Sequence, residues 1–217
     1  MKQDNGIRLQ KGTREYYLPK NRPEIIDIPS FKAVAVEGKG NPNDKDGAYQ
    51  KAIGILYAIA YTIKMSRKTD HQMDGYFDFV VPPLEGLWWQ EDTQGIDYDR
   101  KDDFNWISFL RLPDFVTQSE FTWAVENVQK KKKLDCSQAW LMECEEGLCV
   151  QIMHHGSFDT EPETVKQMDA YLMEHGYKFA AKTHMLACGM KAASLWFDDN
   201  IDKICINKTY HSDRGGK

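Results

Sequence analysis

The residues best suited to chemistry in this chain are aromatic. Tyr57, Tyr61, Tyr76, Trp88, Trp89 and Trp106 fall in one stretch of sequence, and Trp140 follows further on. Flat π faces stack on planar molecules and attract cations, each well-placed cation–π contact contributing roughly 0.5–2 kcal/mol. Aromatics at helix or strand spacing more often pack a core. The Trp88-Trp89 pair fits that bland reading least well, because neighbours in an extended segment point to opposite faces. One ring can then enter the core while the other lines a cavity.

Carboxylates stand close to this wall. Glu85 precedes Gly86 just before the tryptophan pair, and Glu37 and Glu143 fall inside expected strands. A carboxylate so placed would counter a ligand cation or orient a water as general base, although exposed strand glutamates are commoner. The candidate set is therefore Tyr57, Tyr61, Trp88, Trp89, Trp106 and Trp140 for ligand binding. Glu85, Glu143 and the Tyr76 hydroxyl are the candidates for catalysis, the last to stabilise developing charge.

Other chemistries find little support. His154 and His155 are adjacent at a strand end, where consecutive side chains diverge, and no H-E-x-x-H pattern exists, so no metal site is expected. Cys144 and Cys149 flank a turn with nothing to complete a zinc site or a nucleophile–base pair. Gly38 and Gly40 lack dinucleotide spacing and no P-loop occurs, so no cofactor is expected.

Positioning these groups needs a packed body. With 217 residues and 41% hydrophobic content the chain can bury a core, and no apolar run approaches the ~18 residues that cross a bilayer. The start, MKQDNGIRLQKGTREYY, has no secretion-signal pattern, which sets the expectation of a cytoplasmic protein. Five cysteines without a CxxC pair read as reduced thiols. A net charge of −5 with dispersed basic residues disfavours nucleic acid as a partner. Lys130–Lys133 read as a solvated helix end, where cations are favoured.

The expected elements follow from periodicity. Residues 1–18 form an arm, and residues 19–217 form one domain. EIIDIPSFKAVAVE reads as an edge strand entering a central one across Pro29. A deeply packed helix spans 46–64, an alternating strand starts at Tyr76 and breaks at Pro82-Pro83, and another strand spans 104–112. Thr117 with Glu120, and Thr160 with Glu163, have capping-box spacing ahead of helices. Segments 139–144 and 148–154 around EEG predict a hairpin. VAVEGKGNPND and VQIMHHGSFDTEP each join a strand to a helix through a Gly-containing acidic loop, so the expectation is a duplicated strand-helix-strand-strand unit, with pseudo-repeats at about 24–115 and 139–210. The fold class is α+β: an antiparallel sheet, helices on one face, and a ligand cavity between the halves.

The strings RPEIIDIP, GKGNPND, YQKAIGILYAIAYTIK, FVVPPLEGLWW, WISFLRLPDFVT, EEGLCVQIMHHGSFDTEP and MDAYLMEHGY together resemble the GyrI-like small-molecule-binding proteins from about Pro19 to Tyr177. The resemblance implies the duplicated fold just described, around a hydrophobic ligand cavity. It also implies a cytoplasmic binder of small hydrophobic, planar or cationic xenobiotics. A similar subgroup, the cyclopropanoid cyclohydrolases, hydrolyses DNA-alkylating natural products within an aromatic cage, so hydrolysis is the alternative. A non-catalytic partner-binding protein is the third reading. After Tyr177 the likeness stops: where relatives carry a strand like HHEIYLSD, this chain reads KTHMLACGMKAASLWFDD, and the family's cavity glutamate is assigned to no residue here. Met185–Cys188 and Ile201–Ile206 are apolar enough to supply replacement strands. Oligomeric state is left open.

Overall fold

The computed structural model describes residues 14–93, 97–156 and 160–177, together with the backbone of 185–189 and 199–205. A single turn of helix, α1 (Arg14–Tyr17), precedes β1 (Glu24–Ile28) and β2 (Phe31–Lys39). The long α2 (Ala48–Lys64) leads to β3 (Leu84–Trp89) and β4 (Asn105–Leu112). After α3 (Gln118–Lys132) come β5 (Ala139–Cys144), β6 (Gly147–His155) and α4 (Glu161–Glu174). The strands β7 (Met185–Gly189) and β8 (Asp199–Cys205) form where the apolar runs of the tail predict them.

All eight strands join one antiparallel sheet in the order β1-β6-β8-β7-β3-β4-β2-β5. Exchanging β1 with β5, β2 with β6, β3 with β7 and β4 with β8 reproduces the same order read backwards. The duplication expected from sequence is thus written into the topology, with the β3·β7 pair on its symmetry axis. Each half has given its first strand to the other, since β1 pairs with β6 and β5 pairs with β2.

This exchange corrects the expected hairpin. Only Glu145 and Glu146 separate β5 from β6, yet the two do not pair: β5 ends one edge of the sheet and β6 lies next to the other. Laid flat, β5 and β6 would be six strand spacings apart, about 29 Å, whereas a two-residue link spans at most about 11 Å. The link Pro29-Ser30 between β1 and β2 faces the same conflict. The sheet must therefore curl until its edges meet at one corner.

Burial tells which face is inside the curl. Val34, Val36, Trp106 and Leu110 pack under α2 and α3, and Val150 and Ile152 under α4, so the long helices share one face. On the opposite face Ala33, Ala35, Phe109, Cys149 and Gln151 are fully buried although no long helix among the described residues covers them, which makes it the concave side.

Local chemistry explains the remaining boundaries. The strand expected from Tyr76 begins only at Leu84, after Pro82-Pro83, because proline cannot donate to a ladder. The stretch before it is pinned to the end of α2: the Tyr76 hydroxyl donates to Lys64 O at 2.6 Å, and Lys64 Nζ donates to Phe79 O. Thr117 caps α3 by accepting from Glu120 N at 3.3 Å, and Lys133 ends it in the left-handed conformation with the lysine run exposed. Thr160 makes no such cap for α4; its hydroxyl lies 3.3 Å from His154 Nε2 instead.

Gly38 is required by packing. A Cβ there would stand 2.3 Å from Cζ2 and 2.4 Å from Cη2 of the indole of Trp106, its cross-strand partner. Replacing Gly38 by Ala should destabilise the fold by about 1–3 kcal/mol through overpacking, read as a lower urea midpoint; an unchanged midpoint would show that Trp106 moves freely.

Candidate ligand-binding site

The sequence candidates divide between the two faces of the sheet. Trp88 and Trp106 pair across β3 and β4 on the helix face. Trp89, Glu85 and Trp140 alternate to the concave face, where Trp140 packs against the Ala33-Ala35-Phe109 cluster. The tryptophan pair does point to both faces, as its extended backbone requires. Tyr76 joins a separate group with Phe77, Phe79 and Phe115, its ring 5.3 Å from Phe115. Burial, then the Asp78 charge, raises the Tyr76 phenol above its ordinary value, while Arg67 pulls it back.

Glu85 is buried and already spoken for. Its Oε1 accepts from the Tyr17 hydroxyl at 2.7 Å and from Arg111 Nε at 2.8 Å, while Oε2 accepts from a terminal Arg111 nitrogen at 2.9 Å. The same nitrogen donates to Glu146 Oε1 at 2.9 Å, in the corner link between β5 and β6. Burial works against the Arg111 charge, but Glu85, Tyr17 and Glu146 outweigh it and push the guanidinium further above its ordinary value. The Arg111 guanidinium also lies 3.7 Å from the Phe31 ring centroid. A carboxylate engaged on both oxygens has little capacity left to activate water. Glu143 is exposed on the outermost strand, where it pairs in register with Lys32, and Glu37 is exposed on β2.

On the helix face the aromatics form a continuous run. The Tyr49 ring lies 5.1 Å from Trp106 and 5.0 Å from Trp88. Trp88 meets Phe104 edge-on at 5.9 Å, and Phe104 meets Tyr98 at 6.4 Å. The Tyr98 hydroxyl then donates to Glu161 Oε2, on the first turn of α4. The run starts in the first half of the fold and ends on the helix of the second, so it crosses the seam between them.

Small residues floor this seam. Gly86 and Ser108 are cross-strand partners. A Cβ on Gly86 would lie 2.8 Å from Trp88 Nε1, so glycine lets the indole lean over the floor. Because Tyr49 meets Trp88 on β3, its side of α2 looks toward the seam. Ile53, Tyr57 and Tyr61 continue from Tyr49 at four-residue spacing. The Tyr57 and Tyr61 rings stack at 6.2 Å, and Tyr61 is 48% exposed. Ser108 Oγ and Trp106 Nε1 are buried beside Tyr49 without hydrogen-bond partners among the described residues, which leaves two polar atoms available to a ligand.

The loop bearing Tyr98 is held by Gln90. Its amide nitrogen donates to Asp97 O at 3.0 Å and Arg100 O at 2.9 Å, and its oxygen accepts from Asp97 N at 2.6 Å. On the other side of the seam His154 is buried, with Nδ1 2.7 Å from Thr164 Oγ1 and Nε2 facing Thr160. This clamps the start of α4 to β6 and so fixes Glu161. His155 instead meets Asn21 Oδ1 at 3.0 Å. Cys136, Cys144 and Cys149 form no disulfide among the described residues; Cys188 and Cys205 belong to strands described by backbone alone. Among the described residues no cluster of three or more potential metal ligands occurs, and no helix is long and apolar enough to cross a membrane.

Sequence reading missed Tyr49, Tyr98, Phe104 and Glu161 as seam residues. Tyr49 carried a signal in its four-residue spacing from Ile53, Tyr57 and Tyr61. Glu161 was hidden between Thr160 and Glu163, whose spacing suggested only a cap.

A family model of the GyrI-like small molecule binding domain matches residues 21–187. The structure is similar to a hydrolase from Listeria innocua, with 40% identity, 89% of this chain and 95% of that chain covered, and a TM-score of 0.82. A second Listeria innocua hydrolase is 38% identical over 93% of this chain and 100% of its own, with a TM-score of 0.80. An uncharacterized conserved protein from the same organism has the same identity and coverages, with a TM-score of 0.83. No curated protein matches the chain.

Burial pushes the Tyr49 phenol up to about 12; the Ser108 hydroxyl beside it pulls the other way, although the two do not meet hydrogen-bond geometry. A phenol raised in the folded state stabilises the fold fully below its unfolded value near ~10, and that contribution is lost as pH rises toward 12. Stability should therefore fall between those limits by on the order of 2 kcal/mol. Tyr49→Phe should remove that fall in unfolding experiments at alkaline pH, and an identical pH profile would show that the phenol is not buried.

Proposed function

The chain belongs to the GyrI-like small-molecule-binding family, and from that premise we propose that it binds hydrophobic, planar or cationic organic molecules at the aromatic seam between its halves. Such molecules would include xenobiotics, with protection of the cell as the purpose. The observation that carries this reading is the unbroken contact run Trp106–Tyr49–Trp88–Phe104–Tyr98, which lies above a floor of small residues and reaches the second half where Tyr98 meets Glu161. A planar ligand inserted there gains ring stacking on Trp88 and Tyr49 and removes apolar surface from water. The half-buried Tyr57 and the exposed Tyr61 extend the wall toward solvent, where an arriving ligand meets them first. Trp89 and Trp140 face the concave side of the sheet and serve its packing in this reading.

The names of the two hydrolases at 40% and 38% identity favour a second reading, hydrolysis at the same seam. For a cyclopropane-bearing substrate, the oxygen of water bonds the electrophilic ring carbon, the strained C–C bond opens with its electron pair passing to the conjugated part of the same molecule, and a proton from the water neutralises that part, so the product is substrate plus one water. Trp106 Nε1 and Ser108 Oγ are suited to donate to an oxygen that gains charge in that step. Glu85, bound by Arg111 and Tyr17, would then act as a positioning group for β3 and β4.

Tryptophan emission tests the primary reading. Planar aromatic dyes should quench it at micromolar concentration, and Trp88→Ala should weaken binding about fivefold, the loss of one stacked pair at ~1 kcal/mol; unchanged emission at high micromolar dye would defeat the proposal. Product mass separates the second reading from the first: an enzyme-dependent gain of one water by a cyclopropanoid substrate supports hydrolysis, and recovery of unaltered substrate rejects it.

A further inference from the structure

We infer that Glu161 is the charge-selecting residue of the seam, and that it takes the protonated amine of a ligand whose planar part lies on the aromatic run. This rests on the binding reading above and adds to it the class of molecule preferred and the residue responsible.

Glu161 has 0% exposure. One of its oxygens accepts from the Tyr98 hydroxyl, and the other, Oε1, has no hydrogen-bond partner among the described residues. No lysine or arginine among them pairs with it. A buried carboxylate normally gathers a cation or several donors, because desolvation penalises a bare charge. The other buried glutamate, Glu85, does so with Arg111 and Tyr17. Glu161 has one neutral phenol and the N-terminal end of α4, whose dipole favours an anion there. It is held in place, since His154 is braced by Thr160 and Thr164 on either side of it in sequence.

Its position gives the vacancy a purpose. The phenol that reaches Glu161 is the last ring of the run, so a flat ligand on Trp88 and Phe104 brings a short side arm to the carboxylate. An ammonium on that arm supplies the missing donors to Oε1 and lies against the Tyr98 ring, an arrangement that also gains cation–π attraction. The carboxylate is closed off without ligand, so the ammonium competes with the Tyr98 hydroxyl for it. An alcohol of the same shape gains no charge pairing.

The test compares 1-naphthylmethylammonium with 1-naphthylmethanol by titration calorimetry. Wild-type protein should bind the ammonium at least tenfold more tightly, Glu161→Gln should reduce the ratio to about one by weakening the ammonium, and Tyr98→Phe should tighten the ammonium by threefold or more. Circular dichroism melts identify any variant that fails to fold, in which case the wild-type ratio and Tyr98→Phe decide. Equal wild-type affinities, an undiminished ratio in folded Glu161→Gln, or no effect of Tyr98→Phe on the ammonium would each overturn the inference and leave seam binding standing. Binding of neither compound by wild-type protein would overturn both.

Discussion

The structure depends on one buried guanidinium. Arg111 is the residue of β4 that joins the middle of the sheet to the corner where its edges meet, through Glu85 on β3 and Glu146 in the β5–β6 link. Curling a twisted sheet this far forces the side chains of its concave face together, and here the closure is made with paired charges rather than with apolar residues alone. The pairing is directional and bidentate, so it specifies how β3, β4 and the corner are placed as well as holding them. Tyr17 completes the arrangement from α1 and ties the start of the chain to its centre. Removing one member of such a set leaves the others buried and uncompensated, which is why the cluster behaves as a unit.

Fixing the concave face in this way frees the helix face for ligands. With β3 and β4 held from behind, Gly86, Ser108, Trp88 and Trp106 present a defined floor, and α2 needs only to lay its tyrosine side along it. The inner face sets Glu85, Arg111 and Tyr17 against one another, and the outer face holds the ring run with Trp106 Nε1, Ser108 Oγ and Glu161 Oε1 lacking hydrogen-bond partners among the described residues.

Much of this was legible in the sequence, for definable reasons. Period and punctuation located α2, α3, β2 and β4, because Pro29, Gly38 and the Thr117–Glu120 pair act locally. The strand-loop-helix similarity around GKGNPND and HHGSFDTEP disclosed the duplication, and the opposed directions of Trp88 and Trp89 followed from extended geometry. What failed was non-local. A turn signal such as Glu145-Glu146 says that the chain reverses, and nothing in it says which strands it then meets; β5 and β6 part company because each has a better partner in the other half. Glu85 drew attention as a lone acid beside aromatics, while its partner Arg111 lay 26 positions away in an apolar strand. That arginine was itself the available clue, since a cation at a core-facing strand position calls for a buried acid.

The exchange of first strands has a historical and practical meaning. Were the chain divided before β5, neither product could complete its own sheet, because the edge each one needs would reside on the other molecule. Two identical half-length ancestors would meet the same need by lending strands reciprocally, forming an obligate homodimer with a twofold axis. Tandem fusion of that gene would convert the partnership into a single chain, and from then on the two sides could diverge independently: one accumulated rings, the other kept an acid.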